Sequence, residues 1–317
     1  MAKFNTYREI KTDEEIYARS GSPSDYHCSC DYCKPDQIKE IYHTEQDAYY
    51  SQSTRKQYYF PKVKPEGGFD RHICPGHWQG YRYAVQQYTK PGDLVFDPTV
   101  GTGTAIVEAI NNGRDGVGIE LEYPHITQRS VDAQYENGSA TGKGEVIPGN
   151  AEDLIELLEE RQYHGECFDL VVNGSPYPVL GGRQADAPER ALSTDPRGGM
   201  AYKKEQLIEY KQERGIGTKK NDEYWAMIEK LYVDSISKLK PGGKFITIIK
   251  DPTQKKQPYL LHKFIMDVVM ESNPVKYHST FVHRHMPYTL FMNTYPKQYP
   301  EAGLIPLFQT GVVFEKI

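Results

Sequence analysis

Two short polar segments have the residue types and spacing needed to bind a nucleoside and to hold an amine. In the first, Asp97 closes an apolar run and precedes a loop with Gly101 and Gly103, after which Thr104 begins a helical pattern. Glycine lets the backbone adopt positive φ and lets a bulky group approach closely, and the free N–H groups at a helix start favour polar or anionic atoms. The first segment therefore favours a nucleoside ligand.

A carboxylate completes this first segment. Glu120 lies 23 residues after Asp97, at the end of the next apolar run, where an acidic side chain accepts ribose hydroxyls. A phosphate-binding P-loop would need Gly-Lys-Ser/Thr, and a dinucleotide fingerprint would need glycine at position 106, which is Ile106. A turn that binds no ligand is the remaining alternative.

The second segment, residues 173–178, is rich in hydrogen-bond acceptors. It reads NGSPYP and offers Asn173, Ser175, the carbonyls around Pro176, and the flat ring of Tyr177. Proline has no N–H, so its backbone can only accept, and an aromatic ring can stack on a planar base. This segment is suited to hold an amino group on a planar ring.

Alternating strands and helices predict an α/β fold with a doubly wound, mostly parallel sheet. The first and fourth predicted strands are neighbours where the strand order of such a sheet reverses, so the two polar segments should face each other across one crevice. A Pro-Gly-Gly turn at 241–243 is expected to precede the fifth strand. The predicted helices are 77–88, 104–111, 123–135, 154–161, 221–239 and about 260–270, and the predicted strands are 93–96, 116–119, 144–147, 168–172, 244–249, 277–282 and 311–314.

Three stretches in order, DLVFDPTVGTGTAIVEAINNGRDGVGIELE, DLVVNGSPYP and LKPGGKFITIIKD, resemble the S-adenosylmethionine-dependent amino-methyltransferases of DNA. The resemblance spans roughly residues 72–255 and implies a Rossmann-like methyltransferase fold with S-adenosylmethionine as cofactor. It places Glu120 at the ribose and Asn150 or Asp153 at the adenine edge. It places four residues around the methionine part, namely Asp97, Gly101, Gly103 and Thr104.

The resemblance also assigns the catalytic residues to the second segment. The family's loop has a polar residue, two prolines and an aromatic, whereas this chain has one proline before Tyr177. Asn173 and Ser175 both remain candidates for the acceptor of the amine, with Pro176 beside them and Tyr177 stacking the base. No metal is expected at this site.

The implied reaction is direct methyl transfer to N4 of cytosine or N6 of adenine in double-stranded DNA, with the base flipped out of the helix. The Ser-Pro-Tyr sequence slightly favours N4. Methylation of ring carbon C5 would need a cysteine after the fourth strand, and Cys167 precedes that strand. The alternatives are an RNA-base or protein-glutamine methyltransferase and a catalytically weakened, cofactor-binding regulatory subunit.

The predicted organisation is an irregular extension, 1–70, and a catalytic domain, 71–317, interrupted by a long basic insertion at 179–220. The insertion holds nine Lys/Arg against six Asp/Glu. Target recognition is expected in the insertion as the first choice, in residues 1–70 or in a partner; otherwise the insertion is a solvated loop. Aromatic and basic residues alternate near 49–64, as in a nucleic-acid surface or in an arm packed on the main domain. Cys28, Cys30 and Cys33 are zinc ligands or, the favoured interpretation, free thiols.

The composition is typical of a soluble protein without a membrane-spanning segment. The chain has 317 residues, a formal net charge of −5 and five cysteines. With no long apolar run and a polar start, it is expected to be soluble and cytoplasmic, without a membrane partner. A negative overall charge means that DNA must be bound through local basic patches. Whether the chain forms a homodimer or works with a restriction enzyme stays open.

Overall fold

The structure is a computed structural model of the 317-residue chain. It describes residues 38–41, 78–121, 124–136, 138–174, 176, 216, 221–249, 253–254, 257–258, 261–284 and 308–317. The cysteine cluster, the aromatic and basic residues near 49–64 and, apart from Ile216, the insertion at 179–220 lie outside these ranges. Ile216 is buried and belongs to the same core cluster as Tyr224 and Trp225.

One eight-stranded sheet forms the centre of the molecule. Its strand order is β1-β9-β10-β6-β5-β2-β3-β4, and a separate two-stranded sheet is made of β7 and β8. Within the large sheet only β10 runs antiparallel to its neighbours, so the predicted doubly wound, mostly parallel sheet is confirmed. The strands are β1 Ile38–Ile41, β2 Leu94–Asp97, β3 Asp115–Glu120, β4 Gly144–Pro148, β5 Phe168–Asn173, β6 Leu239–Ile249, β7 Thr253–Gln254, β8 Gln257–Pro258, β9 Val275–Arg284 and β10 Phe308–Lys316.

Helices cover both faces of the sheet. Alternate strand residues point to opposite faces, so Val95 packs with α1 and α2 while the adjacent Phe96 packs with α4, α5 and α6. Helix α3 packs beside α2 through Val131. The central strands β2 and β5 are therefore buried on both faces, as their apolar runs at 95–96 and 170–172 require. The helices are α1 Trp78–Tyr88, α2 Thr104–Asn111, α3 Pro124–Glu136, α4 Leu154–Glu160, α5 Asn221–Ser237 and α6 Leu261–Ser272.

Strands β2 and β5 lie side by side where the strand order reverses. Val95 pairs with Leu170 and Phe96 with Val171, both in parallel register. Asp97 and Asn173, the last residues of these strands, therefore leave the sheet at the same edge. The predicted adjacency of the first and fourth catalytic strands is confirmed.

One local expectation, the position of the Pro-Gly-Gly turn, was wrong. The Pro-Gly-Gly turn does not precede β6 but lies inside it, because Leu239 already pairs with Phe168 before the register shifts and Lys244 pairs with Leu170. Within the extension that was expected to be irregular, Ile38–Ile41 form β1 and pair in parallel with β9. A strand of four residues shows little periodicity in the sequence. Whether such a segment forms a strand depends on the neighbour with which it pairs, here β9.

None of the helices in the described ranges combines the length and the apolar composition that crossing a bilayer requires.

Gly118 of β3 lies directly under the loop that follows β2. A Cβ at Gly118 would stand 2.7 Å from Cβ of Val100 and 2.9 Å from Cδ1 of Ile106. We expect Gly118→Ala to lower the free energy of unfolding by about 1–3 kcal/mol through overpacking, measured by urea denaturation. A value within about 0.5 kcal/mol of the wild type would show that the loop moves aside freely.

Candidate functional site

The loop after β2, residues 98–103, is here called the glycine loop. Gly101 has φ 54° and Gly103, the N-cap of α2, has φ 88°, both in the left-handed region that favours glycine. Among the described residues no side chain caps the start of α2 by a hydrogen bond, and the start of a helix favours polar or anionic ligand atoms. Gly101 and Gly103 thus have the positive φ, and Thr104 the first helical position, that the sequence predicted. Their contact with a nucleoside stays a prediction.

Contacts from two neighbouring elements hold the glycine loop. The N–H of Val100 donates to the carbonyl of Ile119 in β3 at 3.1 Å, and the hydroxyl of Thr127 in α3 donates to the carbonyl of Gly101. Thr127 is fully buried. Sequence reasoning missed Thr127, because a threonine inside a predicted helix gives no local sign of a contact 26 residues away.

Asp97 is a buried carboxyl at the base of the glycine loop. It is 2% exposed, and its Oδ1 accepts the N–H of Thr99 at 3.0 Å. Burial raises the pKa of Asp97 from 3.8 to about 7; the Thr99 N–H and the Asn173 amide oppose this shift, and the charge of Glu120 adds to it. Glu120 is 7% exposed at the end of β3. A cation bound near these two carboxyls would relieve their repulsion, which fits the ammonium and sulfonium of S-adenosylmethionine.

The residues predicted at the adenine edge lie at the carboxyl end of β4, the same edge of the sheet. Asn150 caps a short 3₁₀ turn, Ala151–Asp153: its side chain accepts the N–H of Glu152 at 3.2 Å and donates to the Glu152 carboxylate at 3.1 Å. Asp153 is exposed. Contact of either residue with adenine stays a prediction.

Asn173 joins the two polar segments directly. Its Nδ2 donates to Thr99 Oγ1 at 2.7 Å and lies 3.5 Å from Asp97 Oδ1, and the side chain is fully buried. The expectation that the segments face each other across the switch point is thereby met for their described residues. Thr99 was not singled out from the sequence, since its partner is 74 residues away.

The rest of the second segment contacts two tyrosines. A Cβ at Gly174 would stand 2.3 Å from Oη of Tyr81 in α1, so glycine is needed there for space. Tyr224 Oη in α5 donates to the carbonyl of Pro176 at 2.8 Å. Ser175 and Tyr177 lie outside the described residues. Neither Tyr81 nor Tyr224 could be found from the sequence, because both belong to helices whose apolar pattern explains them equally well.

The fold and these contacts define a doubly wound α/β protein with a nucleoside-type site at its switch point. The model of the N6/N4 family, described as DNA methylase, matches residues 10–129. This match contains the glycine loop and Glu120 and ends before the second segment. The resemblance inferred from the sequence for residues 72–255 is therefore confirmed over residues 72–129, where the two ranges overlap.

A relative and two solved structures are also similar. The Type II methyltransferase M.MthZI of Methanothermobacter thermautotrophicus is 29% identical over 90 residues, 28% of this chain, and the match spans 24% of the relative's length. A geranyl diphosphate C-methyltransferase from Streptomyces coelicolor is 11% identical with a TM-score of 0.43, over 76% of this chain and 79% of its own. A SAM-dependent methyltransferase from Methanosarcina mazei is 12% identical with a TM-score of 0.41, over 74% and 96%. The fold is established by the strand order and not by these distant likenesses.

The raised pKa of Asp97 predicts a pH dependence of stability. Because the folded-state pKa lies above the unfolded value, the folded chain holds a proton between pH 4 and 7 that the unfolded chain has lost, so stability falls as pH rises through this window. About three pKa units correspond to at most about 4 kcal/mol. Asp97→Asn should remove this part of the slope.

Urea denaturation of both proteins at pH 4.5 to 8 measures the effect as a difference, which cancels the contribution of all other titrating groups. Parallel stability curves for Asp97→Asn and the wild type would contradict the buried, protonated state of Asp97.

Proposed function

We propose that this chain is a DNA methyltransferase that moves a methyl group from S-adenosylmethionine to the exocyclic amine of cytosine (N4) or adenine (N6). The observation that carries the proposal is the hydrogen bond between Asn173 and Thr99, since it places an acceptor-rich segment beside a nucleoside-type loop. The family match to DNA methylases over residues 10–129 supports the choice of cofactor and of DNA.

The first segment is proposed to bind the cofactor. Gly101, Gly103 and Thr104 lie against the methionine part, where the backbone N–H groups at the start of α2 meet its carboxylate. Asp97, ionised by a nearby cation, lies close to its ammonium group, and Glu120 accepts from the ribose hydroxyls. When bound, S-adenosylmethionine supplies a methyl group already activated on a sulfonium.

The second segment is proposed to hold the amine. The Asn173 side-chain nitrogen already donates to Thr99, and the side chain is fully buried. We therefore assign the side-chain acceptor to Ser175 and give Asn173 a positioning role. The Pro176 carbonyl accepts from Tyr224 but has a second lone pair for the amine. Tyr177 stacks on the flipped base. Catalysis then consists of positioning and electrostatics.

The position of Cys167 supports amine methylation over C5 methylation. Cys167 precedes β5 and its N–H donates to the carbonyl of Lys238 at the opposite end of the strand from Asn173. Burial raises the pKa of the Cys167 thiol, which disfavours the thiolate that C5 chemistry needs. N4 of cytosine is the preferred target on the Ser-Pro-Tyr sequence alone.

Target recognition is assigned to the basic insertion at 179–220, which follows the amine-binding segment, with residues 1–70 as a second DNA-contacting part. We propose that the chain acts on double-stranded chromosomal DNA in the cytoplasm. The proposed mechanism requires neither a homodimer nor a restriction partner.

Incubation with methyl-labelled S-adenosylmethionine tests the proposal, with double-stranded DNA as substrate and tRNA as competitor. We expect label in DNA, on N4 of cytosine or N6 of adenine after nucleoside digestion. Label in tRNA would favour the RNA alternative. Cofactor binding without label in either nucleic acid would mean a regulatory subunit.

Single substitutions separate the two segments. Glu120→Ala should abolish detectable cofactor binding in calorimetry, because the ribose hydroxyls lose their acceptor. Ser175→Ala should leave that binding within about two-fold and lower transfer roughly 10- to 100-fold. Unchanged binding in Glu120→Ala would mean that the glycine loop serves another ligand.

A further inference from the structure

We propose that Tyr224 is a positioning residue for methyl transfer, whose hydroxyl sets the orientation of the Pro176 carbonyl next to the transferred group. The inference rests on the proposed function and adds to it a residue from α5, outside both polar segments. Its basis is that residues 173–176 are held by three contacts, one each from Thr99, Tyr81 and Tyr224.

The Tyr224 side chain is itself fixed. It lies in the first turn of α5, is fully buried, and its ring stands edge-on to Trp225 at a centroid distance of 5.1 Å. Trp225 in turn packs on Phe264 of α6 at 6.0 Å. A ring held this way cannot change rotamer without disturbing the core, so its hydroxyl is a fixed donor to the Pro176 carbonyl at 2.8 Å.

The contacts on residues 173–176 come from both faces of the sheet. Tyr81 belongs to the cluster of α1 and α2, and its hydroxyl lies against Gly174. Tyr224 belongs to the cluster of α4, α5 and α6 on the other face. Together with the bond from Asn173 to Thr99, they hold the start, middle and end of this stretch.

The Pro176 contact has a geometric consequence for the chemistry. A peptide group is planar, so fixing one carbonyl oxygen fixes the plane of the bond to the next residue. Proline also fixes its own φ near −65°. The Tyr224 hydroxyl therefore orients the one lone pair of the Pro176 carbonyl that stays available to an amine. A shift of this oxygen by an ångström would lower the transfer rate while the cofactor site stays intact.

Tyr224→Phe removes only the hydroxyl, and Tyr163→Phe is the matched control. The Tyr163 hydroxyl donates to Glu145 at 2.8 Å, near the amino end of β4 and away from the site. In steady-state kinetics with the full chain we expect Tyr224→Phe to lower kcat about ten-fold or more, with KM and Kd for S-adenosylmethionine within about two-fold. Tyr163→Phe should keep the wild-type kcat.

Hydrogen–deuterium exchange provides a readout that needs no activity. In the peptide covering residues 168–176, Tyr224→Phe should speed exchange and Tyr163→Phe should not, because the Tyr224 hydroxyl bonds to this peptide and the Tyr163 hydroxyl bonds to Glu145 instead. Unchanged exchange in Tyr224→Phe overturns the inference, as does a wild-type kcat, or a parallel loss of kcat, cofactor affinity and thermal stability. If the wild type transfers no methyl group, the proposed function fails and exchange alone decides the role of Tyr224.

Discussion

The buried amide of Asn173 imposes the constraint on which the site depends. A fully buried side-chain amide must find hydrogen-bond partners, since leaving it unpaired costs about 1–3 kcal/mol. Its donor group finds Thr99 at 2.7 Å and lies 3.5 Å from Asp97. Those partners are in reach only because β5 pairs with β2 at the switch point. The pairing of β5 with β2 brings the two loops together, and the hydrogen bonds of Asn173 hold them in that arrangement.

The Asn173 amide also affects the ionisation of Asp97. Burial raises the pKa of Asp97 to about 7, and the nearby charge of Glu120 acts in the same direction. The Thr99 N–H and the Asn173 amide partly offset this by donating to the carboxyl. A cationic ligand near Asp97 would lower its pKa further and favour the ionised carboxylate. In the proposed enzyme, the glycine loop thus binds a positively charged cofactor more readily than a neutral product that has lost its sulfonium charge.

Sequence reasoning predicted the parts of the site that local patterns encode. The boundaries of α2, Thr104–Asn111, follow from the glycines before it and its apolar spacing. The pairing of β2 with β5 follows from the alternation of elements. Contacts such as Tyr224 with Pro176 are 48 residues apart and leave no periodic signal. The Pro-Gly-Gly stretch shows a further limit: the local turn residues are there, but pairing of Leu239 with Phe168 extends the strand across them.

The central claim is that Asn173 and Thr99 act as one unit that sets the acceptor segment against the cofactor loop. A double-mutant cycle with Asn173→Ala and Thr99→Val, read out in the rate of methyl transfer to DNA, tests it most directly. The account predicts that each single variant slows transfer and that the double variant is no slower than the worse single one. Losses that simply add would contradict it, because the two residues would then act independently.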